Sequence, residues 1–172
     1  MSTTAVETVS AFCTRYGPGR LPGASRPAVG AGYAVATAAL AAATAFVVLT
    51  GVETLLFGGP ITVTGTLWYF GLLAIPLVVP AAFVGGAVAW RLLPESMSYR
   101  GPLAGMLATV LTYVGATLLL APLLVASSPA QPLSSVGLGL LVGIVGFILT
   151  FWLTLPIGAV SGWIHERAVT GH

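Results

Sequence analysis

Residues 103–126 read LAGMLATVLTYVGATLLLAPLLVA. No Asp, Glu, Lys or Arg interrupts these 24 residues, and an uninterrupted apolar run of about 20 is what a helix needs to cross a hydrocarbon core of about 30 Å. Three other stretches share the property: 30–50, which is dominated by alanine, 67–90 and 136–163. The pattern predicts an all-α integral membrane protein, a four-helix membrane domain over 30–163. An N-terminal segment (1–29) and a short tail (164–172) flank it.

Composition agrees. Charged residues make up 6% of the chain, hydrophobic ones 57%, and mean hydropathy is +1.02. A soluble domain carries roughly a quarter of its residues as charges, so the solvent for most of this chain is expected to be lipid. The bases are all Arg and the acids all Glu, a bias that suggests a GC-rich prokaryotic genome.

Arginine sets the expected orientation. Arg15, Arg20 and Arg26 precede the first span, Arg91 and Arg100 lie between the second and third, and Arg167 follows the fourth. Segments 51–66 and 127–135 have no basic residue. The positive-inside rule then places both termini in the cytoplasm and the protein in the cell membrane. Trp68 and Tyr69 at one interface and Trp90 and Trp163 at the other fit aromatic belts. Six arginines spread over three segments form no basic stripe, which argues against nucleic acid as a partner.

Before the first span, Val6, Val9, Phe12, Cys13 and Tyr16 recur at helical spacing. Thr4 and Glu7 fit a capping box, and Gly17-Pro18-Gly19 stops the pattern. A short interfacial helix is expected over 4–16; a tail without fixed structure is the plainer alternative. The segment does not suit a cleavable signal peptide. Cys13 is the only cysteine, so no internal disulfide can form.

Small residues predict close packing. Gly101/Gly105, Gly139/Gly143 and Gly158/Gly162 have GxxxG spacing, and the first span is lined with Ala34, Ala38, Ala41, Ala42 and Ala45. Gly139, Gly143, Gly158 and Gly162 are candidates for a face toward a second copy or a membrane partner. Pro76, Pro80, Pro122 and Pro156 each remove a backbone hydrogen bond and should bend their helices. Residues 80–91 and 156–167 share Pro, Val, Gly and Arg at matching places (Pro80/Pro156, Val84/Val160, Gly86/Gly162, Arg91/Arg167). Either the chain is two tandem helical hairpins, a parallel repeat known among transporters, or the matches are chance in a chain this rich in Gly and Val.

Few residues can carry chemistry. Thr109, Tyr113 and Thr117 share one helix face at i, i+4 and i+8; Thr150 and Thr154 do the same on the fourth span, and Thr37 and Thr44 on the first. They would line a polar path or, more plainly, make interhelical hydrogen bonds worth about a kcal/mol or less each. Glu53 is the one charge on the arginine-free side, a candidate proton or cation relay or a hydrated interfacial carboxylate. His165, Glu166 and Arg167 are too few for a metal site and read as an anchor beside Trp163. Ser161 lies one turn from His165, but Glu166 points to another face, so no triad assembles. No cofactor motif is present, and an enzyme is not expected.

Two function classes remain: a structural or interaction protein that packs with itself or a membrane partner, and a small transporter, channel or transporter subunit for a neutral or apolar substrate. The absence of ionisable residues within the spans favours the first.

Overall fold

The computed structural model describes residues 21–57 and 63–170. They form four helices: α1 (Pro27–Phe57), α2 (Val63–Leu92), α3 (Arg100–Ser127) and α4 (Pro132–Thr170). Each is long and apolar enough to cross a membrane. The interfacial helix expected over 4–16, with Cys13, lies outside the described residues.

Each helix outruns the apolar stretch that announced it. An apolar run measures the hydrocarbon; the helix stops where its backbone is broken. Pro27 and Pro132 occupy first helical positions, where the missing N–H costs nothing. α4 continues to Thr170, so residues expected to begin a tail are helical. α2, α3 and α4 run through Pro76, Pro80, Pro122 and Pro156 as continuous helices.

Consecutive helices pack as antiparallel neighbours, α1 on α2, α2 on α3 and α3 on α4, and α1 also touches α4. Arg26, Arg91, Arg100 and Arg167 all fall at one end of the bundle, hereafter the arginine end. The apolar core that joins the two hairpins, drawn from α1, α2 and α3, lies there, and α4 reaches it through Gly158, Gly162 and His165. It is built from Ala31, Val35, Ala36, Ala82, Ala89, Trp90, Ala104 and Ala108. Beyond Ala81 on α2 and Thr112 on α3, buried residues among those described are confined to Thr50, Gly65 and Gly71 in the α1–α2 hairpin and Ser135 and Gly139 in the α3–α4 hairpin. Past Gly115, where a Cβ would meet Ala81 of the other hairpin at 3.1 Å, the close glycine contacts among the described residues stay inside each hairpin. Gly51 sits under Trp68, Gly71 under Phe46 and Val47, and Gly139 against Ala121 and Leu124.

The core is inside-out by the standard of a water-soluble protein. Its buried apolar residues are mostly alanine, no large side chain is fully buried among the described residues, and leucine, isoleucine and phenylalanine crowd the surface. Lipid is as apolar as leucine, so burying leucine gains nothing; close backbone approach and packing hold such helices together.

The four echoed positions match in surroundings. Pro80 and Pro156 are exposed, as are Val84 and Val160, and Arg91 and Arg167. Gly86 and Gly162 are both buried. A Cβ on Gly86 would meet the Ala31 carbonyl at 2.9 Å and Gly32 Cα at 3.0 Å, while one on Gly162 would run into the carbonyl of Gly101. Each glycine thus presses on the first helix of its own hairpin.

Candidate functional site

The expected polar stripes on α3 and α4 do come together, and they face each other. The single Tyr113 hydroxyl proton is shared between Thr150 Oγ1, the nearer acceptor, and Thr154 Oγ1 at 3.4 Å. Each threonine hydroxyl in turn donates to its own helix: Thr150 to the Gly146 carbonyl at 2.6 Å, Thr154 to Thr150 at 3.1 Å, and Thr109 to Gly105 at 2.9 Å. Thr109 is buried against Gly158, and Thr117 lies over Gly143. The Tyr113 ring meets Phe147 edge-on at 5.1 Å. Thr109, Tyr113 and Thr117 therefore form a ridge seated in a groove of α4.

This arrangement corrects two expectations. Gly139, Gly143, Gly158 and Gly162 do not offer a face to a partner; they receive α3 of the same chain. A side chain on Gly158 or Gly162 would collide with the backbone of Gly105 or Gly101. GxxxG spacing reports that a helix comes close, and says nothing about whose helix it is. Thr37 and Thr44 do not join the stripe either. Both are exposed, and Thr37 donates to the Tyr33 carbonyl at 2.7 Å, a bond that satisfies a hydroxyl facing outward. Glu53 stands exposed near the far end of α1, not in the α3–α4 seam.

A second cluster, at the arginine end, was not foreseen. Trp90, expected as an interfacial anchor, is 5% exposed. The Arg100 guanidinium lies over its ring at 4.6 Å and donates to its carbonyl at 2.9 Å. Glu95 lies 3.6 Å from the same guanidinium. His165 meets the other ring of this contact, edge-on to Trp90 at 4.7 Å, and its Nε2 lies 3.0 Å from the Pro27 carbonyl. Of the His165–Glu166–Arg167 cluster expected beside Trp163, Arg167 takes that place, 4.4 Å from the Trp163 ring centre, while His165 turns to Trp90. Glu166 turns to the start of α3, where a Cβ on Gly101 would meet its carboxylate at 2.6 Å. An acid there complements the positive end of the helix dipole. Arg100 Nε and Ser161 Oγ are buried without a hydrogen-bond partner.

A void of about 10 Å³ opens among Ala31, Val35, Gly86, Trp90, Gly105 and His165, room for about one water. Among the described residues no group of three or more His, Cys, Asp or Glu could hold a metal ion. The chemistry of the seam is hydrogen bonding between neutral hydroxyls. That of the arginine end is cation–aromatic stacking and helix closure. No protein-family model, curated protein or solved structure matches the chain.

Proposed function

We propose that this chain is a small multi-pass protein of the cell membrane that works by packing, with itself or with a membrane partner. Both termini would lie in the cytoplasm, because the four described arginines collect at one end of the bundle and basic residues favour the cytoplasmic side. The observation that carries the reading is the closure of the polar stripe. Tyr113, Thr150 and Thr154 spend their hydroxyl protons on one another and on backbone carbonyls, which leaves them no free donor to offer a solute. We read the chain as non-catalytic on the same evidence, and the two hairpins as tandem copies.

One observation favours a second reading. The hairpins share a core only at the arginine end, and their apolar far halves would admit a neutral or apolar substrate between them. Single cysteines at 109, 113, 117, 150 and 154, in a Cys13→Ser chain embedded in lipid, separate the two. The packing reading predicts that a membrane-impermeant thiol reagent leaves all five unlabelled from either side, while a cysteine at exposed Ser128 reacts. Labelling along the stripe would reveal a water-filled path and sink that reading.

A further inference from the structure

The contact that closes the bundle, α1 against α4, runs through one titratable side chain. We propose that His165 is a latch: it holds α1 on α4 while neutral and releases the pair when it takes up a second proton. The Pro27 carbonyl can only accept, so Nε2 carries the proton in the 3.0 Å bond between them and Nδ1 is the bare nitrogen of the neutral ring. The ring sits tightly. A Cβ on Gly30 would stand 2.8 Å from His165 Cε1, so glycine at that position is what lets α1 approach.

The surroundings tell against a cation. On the α2 side the ring abuts Trp90, whose indole already carries the Arg100 guanidinium of α3 at 4.6 Å. A protonated His165 would put two positive charges on one indole. Arg26 before α1, Arg91 at the end of α2 and Arg167 on α4 are exposed, so Arg100 is the base whose charge bears on the ring, against which the Pro27 carbonyl is the neighbour that favours a cation. The two nearby acids compensate weakly. Glu95 leans on Arg100 but its side chain is 90% exposed, where a pair is worth little, and Glu166 is turned to Gly101 of α3. The adjoining void takes about one water, so the half-buried ring, once charged, gains hydration chiefly by turning outward to the exposed side of its bond to Pro27. The charged ring is therefore better solvated outside the bundle, and leaving breaks the bond to Pro27.

The test uses the full chain in lipid nanodiscs with Cys13→Ser, and nitroxide labels at Ser25→Cys and Val169→Cys, which flank the α1–α4 contact. Distances are read by pulsed electron resonance at about pH 8 and about pH 5, either side of the imidazole range. A single short distance at the higher pH, joined by a longer population at the lower, is expected. His165→Gln donates the same bond and cannot titrate, so it should stay short at both. His165→Arg is charged at both and should stay long. A control pair inside the second hairpin, Leu118→Cys and Leu140→Cys, should not move. An acid-insensitive wild type, a Gln variant that lengthens as the wild type does, a short distance in the Arg variant, or a control pair that moves with acid would each overturn the latch.

Discussion

The two ends of this bundle are built from different side chains. At the arginine end, alanine lets α1, α2 and α3 meet around Ala82, Ala89 and Ala108, and glycine lets α4 close on α3 at Gly101 and Gly105. At the far end, Leu55, Phe57, Leu133 and Leu138 stand exposed, and the close glycine contacts among the described residues stay within each hairpin. The difference is the one expected of helices suited to an apolar solvent. Large aliphatic groups are satisfied by lipid and supply no force for association, so helices meet where side chains are small enough for backbones to touch. Polar side chains follow the same division, with Arg100 tying α3 to α2 and His165 tying α4 to α1 at the crowded end.

Substitutions that add bulk should break this contrast most sharply. Gly162→Leu pushes a side chain into the Gly101 carbonyl and should cost about 3 kcal/mol. Gly146→Leu, where a Cβ meets nothing within 4 Å, should change stability by less than about 0.5 kcal/mol. Unfolding in mixed micelles, followed by helicity, measures both. Removing an indole should give the next largest contrast. Trp90→Ala empties a core position and should cost about 2–4 kcal/mol, whereas Trp152, 66% exposed, should tolerate alanine within about 0.5 kcal/mol. The smallest effect belongs to the seam. Tyr113→Phe removes the bonds to Thr150 and Thr154 but leaves both threonines their backbone acceptors, so the loss should be about 0.6 kcal/mol.

The four helices were legible because a hydrocarbon core demands uncharged runs of fixed length, and 103–126 could be little else. The face shared by Thr109, Tyr113 and Thr117 was legible for a similar reason: spacing of four fixes a helix face. Which helix that face would meet was not. Gly143 and Gly158 announce a close neighbour without naming it, and only the fold shows that the neighbour is α3. The arginine-end cluster was hidden for a different reason. His165 and Pro27 are 138 residues apart, and no periodicity links them. Trp90 looked like an interfacial anchor because its position at the end of an apolar run is what such anchors share. Arg100 on the next helix turned it into core.

The account rests on hairpins that share a core at one end only, and a pair of distances tests that directly. Nitroxide labels at Ser25→Cys and Val169→Cys report the arginine end of α1 and α4; labels at Phe57→Cys and Leu133→Cys report the far end of the same two helices. At neutral pH in nanodiscs the far-end distance should be the longer and more broadly distributed of the two. Equal, narrow distances at both ends would mean that the helices pack along their whole length, and would contradict the account.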